Sequence, residues 1–270
     1  MPGWRTAGRA VAATLAAVAA AAVAALAAGS AAGQYPGTPP AERPNPCLAP
    51  ETQELLRCPD LRMATPRDLF VNDGRKKLLH ATNNIQSRGE GPLEVRGTRT
   101  SRRYMSVRQA IETASEGAEL FDTDARLVFY RIPRQGPYWK FHEAAEFSLW
   151  SLDEAGTRIT EVRRGPKLSY CFRDLKRTDP SSDSPRRQVY PACSQDPKIR
   201  RRTLGTSVGW SDIYPAGYHQ NWINVSGLSG CYEFVHTADP DNYIFEDDET
   251  NNEGSRRVRL PASGGKVRGC

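Results

Sequence analysis

From about residue 58 onward, short runs in which apolar and polar positions alternate follow one another, and no stretch sustains a helical period. Asp68-Leu-Phe-Val71 and Lys77-Leu-Leu-His-Ala-Thr82 flank the turn signal Asn72-Asp-Gly74, which predicts a hairpin. Gly89-Glu-Gly-Pro92 reads as a loop feeding a further strand. Arg126–Arg131, Phe147–Leu152, Arg158–Val162, Cys231–Thr237 and Arg256–Leu260 read as strands, with a turn at Asp153-Glu-Ala-Gly156. Val208, Trp210 and the alternating Trp222-Ile-Asn-Val225 predict two half-buried strands joined by a turn at Pro215-Ala-Gly217. Ala110 to Ala118 has weak helical character, but Met105, Val107 and Ile111 also fit one face of a strand, so both stay open. Many short strands, frequent turns and no internal repeat predict an all-β fold, an antiparallel β-sandwich with long loops. Order is expected to begin at Cys58.

The amino end has a different composition. Arg5 and Arg9 precede an Ala/Val/Leu run from Ala10 to Ala28, and Ser30-Ala-Ala32 follows, which is the layout of a secretory signal over residues 1–32. An uncleaved anchor competes with it, because the run nearly suffices to span a bilayer. Alanine is only weakly apolar and small-residue cleavage sites lie downstream, so cleavage is favoured. Residues 33–55 read as a Pro/Gly-rich linker, 56–262 as the folded domain and 263–270 as a tail. Six cysteines in an exported chain suggest three disulfides, and pairing of nearest neighbours gives Cys47–Cys58, Cys171–Cys193 and Cys231–Cys270. With no close Cys-x-x-Cys pair, a zinc site is disfavoured.

Loss of Arg5 and Arg9 takes the net charge from +6 to +4, which is no signature of nucleic-acid binding. The expected protein is a monomer with no membrane attachment after cleavage, and its partner is an extracellular protein or an amine substrate. Cationic residues cluster between 173 and 202, among Ser, Asp and Pro. Such a run reads first as a solvated loop pinned by Cys171–Cys193, with a docking surface for an acidic partner as the lesser alternative.

Five segments in order carry a resemblance. They are Leu78-Leu-His-Ala-Thr-Asn-Asn84, Phe147-x-x-Trp-x-Leu152, Gly165-Pro-Lys-Leu-Ser-Tyr-Cys171, Gly209-Trp-Ser-Asp-Ile-Tyr214 with Asn221-Trp-Ile-Asn-Val225, and Glu246-Asp-Asp-Glu-Thr-Asn-Asn252. Together they resemble the lysyl oxidase catalytic domain over roughly Cys58 to Leu260. The resemblance implies oxidation of primary amines, including peptidyl lysine, by copper and a lysyl tyrosylquinone. By position the quinone pair is Lys167 and Tyr214, and such a cofactor carries the redox chemistry itself. Read without the resemblance, Tyr214 is a structural tyrosine at a strand end and Lys167 an ordinary surface lysine.

The copper motif departs from the family. Where the family places three histidines at alternate strand positions, this chain reads Tyr138-Trp-Lys-Phe-His142, and only His142 remains. A protonated lysine cannot ligate, and at ~4 Å its repulsion of a cation is about 4 kcal/mol per unit charge at an effective dielectric of ~20. Leu149 stands where the family has its candidate base. The family's calcium turn is intact: Glu246, Asp248, Asn251 and Asn252 offer hard oxygens, and Asp60 with the Leu61 carbonyl would complete the set. The expectation is a secreted, disulfide-bonded family member that binds calcium and is impaired in copper and quinone chemistry. The alternative is a non-catalytic calcium-stabilised binding or structural domain. No Ser/His/Asp or paired-carboxylate signature supports a hydrolase.

Overall fold

The computed structural model describes residues 44–270 apart from 134, 182 and 264, so the expected signal segment lies outside the described residues. Every pairing is antiparallel, and three disulfides brace the all-β fold. The strands are β1 (Leu56–Arg57), β2 (Leu61–Met63), β3 (Arg67–Val71), β4 (Leu78–Ser87), β5 (Leu93–Arg99) and β6 (Tyr104–Thr113). Next come β7 (Ala118–Ile132), β8 (Gly136–Leu152), β9 (Arg158–Arg164), β10 (Leu168–Tyr170), β11 (Lys176–Arg177) and β12 (Arg201–Thr206). The last five are β13 (Trp210–Tyr214), β14 (Trp222–Asn224), β15 (Gly230–Ala238), β16 (Glu253–Ser263) and β17 (Lys266–Arg268).

Of residues 110–118, which the pattern left open, 110–113 end β6, 114–117 form the bend after it and Ala118 opens β7. Met105, Val107 and Ile111 are buried while Ser106 and Arg108 are exposed, so burial with period two outweighed the weak helical preference.

Two strands change partners along their length and so hold the layers together. The first half of β4 pairs with β3 and β14, and its second half with β13 and β2. The first half of β8 pairs with β7, and its second half lies between β15 and β9. Between the halves Glu143 has φ 60°, a conformation that costs a non-glycine residue roughly 1–2 kcal/mol. Trp139, Phe141, Phe147 and Leu149 of β8 enter the main core beside Tyr170, Phe172 and Phe234.

Order does not begin at Cys58. Cys47 is buried with Leu56, Cys58, Ile111 and Phe245 in a second small core, and turns link residues 46 to 55. This core requires a strand (β6) and a loop near residue 245 that lie far away in the chain, so no local pattern announces it. The tail expected to hang on Cys270 contains β17, which pairs with both β16 and β3. Nor is the 173–202 loop simply solvated. Buried Asp174 accepts hydrogen bonds from the Val189, Tyr190 and Ser207 amides at 2.7–3.2 Å and from the Ser207 hydroxyl at 2.8 Å.

Candidate functional site

Three strands converge on Tyr214, the last residue of β13. Its ring stacks on Tyr170 of β10 at 3.7 Å between centroids and 9° between planes. Tyr218, in the turn after β13, meets the Tyr214 ring edge-on at 4.7 Å. The Tyr214 hydroxyl accepts from the Cys171 amide at 2.7 Å and donates to the Cys171 carbonyl at 3.1 Å. The Tyr170 hydroxyl donates to Asn221 Oδ1 at 2.6 Å, and Asn221 Nδ2 donates back to the Tyr214 carbonyl at 3.3 Å. The 215–221 turn thus closes an aromatic box. Burial pushes the Tyr170 and Tyr214 hydroxyls well above the ordinary phenol range, so both are neutral donors.

The side wall of the box is β8. Its alternation sends Trp139 and Phe141 into the core and turns Tyr138, Lys140 and His142 the other way. Lys140 is fully buried. Its Nζ donates to the Tyr218 hydroxyl at 2.7 Å and the Ser169 carbonyl at 3.1 Å, and lies 5.1 Å from the Tyr218 ring centroid. Burial pushes its ammonium down to about 7, with the charge of Asp212 opposing. Burial likewise pushes Asp212 up to about 8, with the nearby Tyr214 hydroxyl, then Arg173 and Lys140, opposing. His219 also faces this space: burial, then Lys140, lower it. The contacts of Lys140 are thus a phenol and a carbonyl, while Asp212 acts at longer range and Glu146 pairs with Arg164.

His142 stands half-buried at the bend of β8, with Nδ1 3.3 Å from Glu143 Oε2. Contact with His142 holds Glu143 below the ordinary carboxylate range. Lys167, just before β10, is paired with Asp241. Tyr214 stacks on Tyr170 and Lys167 pairs with Asp241, so the two have separate partners.

Of the six calcium-turn residues, Leu61 and Asn252 meet at Glu246, and Asp248 meets Asn251. Leu61 N donates to the Glu246 carboxylate, which also accepts from Asn252 Nδ2 at 3.0 Å. Asp248 accepts from Asn251 Nδ2 at 2.7 Å. Asp60 Oδ1, Asn251 Oδ1 and Asn252 Oδ1 are buried without a partner. Asn45, which the sequence reading assigned to a linker, donates to the Glu246 carbonyl at 2.9 Å and to Glu249 Oε1 at 2.8 Å. Among the described residues, no group of three or more His, Cys, Asp or Glu side chains is arranged to hold a metal. The orphaned oxygens here belong mostly to amides, which suits a hard cation and not a transition metal.

Tyr218 and Asp241 were absent from the sequence reading, and Tyr170 and Asn221 stood within its motifs without a role. Tyr218 sits in a turn read only as punctuation, though a tyrosine four residues after Tyr214 was a visible signal.

The fold and this box define a disulfide-braced, all-β domain built round a buried tyrosine at a strand end. The lysyl oxidase family profile matches residues 134–270, which take in β8, Lys167, Tyr214 and the acidic turn. The chain belongs to the lysyl oxidase family. No curated protein matches it.

Proposed function

We propose that this chain is a secreted lysyl oxidase family domain that does not oxidise amines and serves as a calcium-braced extracellular binding or structural domain. The observation carrying this reading is Lys140, buried at the centre of the copper motif and bound to Tyr218 and Ser169. The residues at that position do not fit copper: one imidazole remains, and the neighbouring cation repels a divalent ion. Three disulfides fit a protein of an oxidising compartment. In this reading Tyr214 stays a phenol and Lys167 stays an amine paired with Asp241. Intact mass tests it. The expected mass is that of the unmodified chain less the hydrogens of its disulfides, with no quinone stain after incubation with copper. Stoichiometric copper together with peroxide release from an alkylamine overturns the proposal.

Calcium fits where copper does not. Asp60, the Leu61 carbonyl, Glu246, Asp248, Asn251 and Asn252 would hold it, joining the first strands to the turn before β16. A ligand at a hundredfold over its Kd stabilises by about 2.7 kcal/mol, which for a domain of this size is roughly 5–10 °C in melting temperature. Melting in calcium is expected to exceed melting in chelator by that margin. Equal midpoints in the two buffers would sink the calcium assignment.

A further inference from the structure

Sheet register gathers two separate basic stretches at one end of the molecule. Residues 96–108 and 196–202 contain nine cationic side chains and one carboxylate, a greater net positive charge than the +6 of the whole chain. β5 lies between β6 and β12, with Thr98 opposite both Ser106 and Arg201, and the Arg99 amide bonds the Arg200 carbonyl at 2.9 Å. Arg102 and Arg103 at the β5–β6 turn and Lys198, Arg200 and Arg201 at the entry to β12 are all exposed.

Several arginines elsewhere in the protein are matched to carboxylates. Arg158 pairs with Glu233 and Glu253, Arg164 with Glu146 and Glu161, and Arg88 with Asp179. None of the five cations at the basic end forms an ion pair among the described residues. Asp196, the one carboxylate within the two stretches, caps the Lys198 amide at 2.8 Å. Arg96 and Arg108 stand directly opposite on paired strands, a destabilising arrangement for like charges that Glu94, paired with Arg96, and Asp122, opposite Arg108 on β7, offset in part. The platform is ordered despite this repulsion. The Thr100 and Ser101 amides donate to the Tyr104 carbonyl at 3.0 and 3.1 Å, and the Phe129 amide to the Arg103 carbonyl at 2.8 Å.

We infer that this end is a docking surface for an acidic polypeptide segment laid across β6, β5 and β12. Guanidinium forks pair bidentately with carboxylates, and neighbouring strands about 4.8 Å apart present them in rows. Charges spread over two strands and a turn exceed what one small anion engages. Single-stranded nucleic acid fits poorly, because the one aromatic residue in these stretches, Tyr104, is half-buried with the Arg126 guanidinium 5.3 Å from its ring centroid. The inference names a partner class for the binding role proposed above. Copper binding and intact mass do not depend on these arginines, so each idea fails separately.

The test uses the full chain and a labelled peptide of alternating Glu and Ser, read by fluorescence anisotropy over a salt series. Binding is expected to weaken steadily with salt. The triple variant Arg102→Gln, Arg103→Gln, Arg201→Gln is expected to lose at least tenfold in affinity. A control of equal charge change, Arg67→Gln, Arg75→Gln, Lys76→Gln, is expected to stay within twofold. The wild-type salt dependence and a Gln/Ser peptide, expected not to bind, supply readouts that survive any folding defect. No binding of the acidic peptide at low salt overturns the proposal, as does equal loss in the control. Tighter binding of inorganic polyphosphate at matched charge assigns the surface to another class of polymer and overturns it too.

Discussion

Replacing His236 with Phe is expected to stabilise this protein, and by far the most in acid. His236 is fully buried on β15, stacked on Phe147 at 4.0 Å and edge-on to Phe234 at 4.7 Å. Neither ring nitrogen has a hydrogen-bond partner, and burial pushes the imidazole down to about 3. The fold therefore binds fewer protons here than the unfolded chain does. The contribution of neutral His236 is fully present above its unfolded value of 6.5 and is lost as pH falls toward about 3. Between pH 6.5 and pH 4 that loss is about 3 kcal/mol, at roughly 1.4 kcal/mol per unit. At neutral pH the gain from His236→Phe is smaller, about 1–3 kcal/mol, because it removes two unsatisfied polar atoms from an aromatic site. Urea unfolding of both proteins at pH 7 and pH 4 checks this. Stabilities that decline in parallel with pH would show that His236 is not the acid-sensitive group.

Tyr138→His together with Lys140→His is expected to create a copper site that the wild type lacks. The alternation of β8 already points these positions and His142 to one side, away from Trp139 and Phe141. The substitution supplies two imidazoles and removes an amine whose protonated form repels the metal. Calorimetric titration with copper should give one ion per double variant, weaker binding for either single variant, and no stoichiometric binding for the wild type. A double variant that binds no better than wild type would mean the three side chains do not converge.

Much of this arrangement was legible before the structure, where the signal was local. The hairpin of β3 and β4, with its Asn72-Asp-Gly74 turn, follows from period-two burial and turn chemistry. The disulfide pairing follows from nearness in the chain, and all three bridges have neighbouring cysteines as partners. Candidate positions for His142, Lys167, Tyr214 and the acidic turn came from motif order. What each side chain touches did not. Lys140 could be recognised as a misfit for copper, but not that Tyr218 and the Ser169 carbonyl would satisfy its ammonium, since those acceptors come from a turn and a different strand.

By itself, then, the sequence determined the antiparallel class, most strand positions and the disulfide bridges, because each is written in neighbouring residues. Only the tertiary structure decided that Lys167 pairs with Asp241 while Tyr214 stacks on Tyr170, that Asn45 and Cys47 belong to the folded domain, and that two arginine-rich stretches meet. These depend on register and on packing between segments up to about 200 residues apart in the chain, as in the bonds from Asn45 to Glu246 and Glu249. Chain connectivity leaves such contacts unspecified until burial of the shared core selects one pairing of strands.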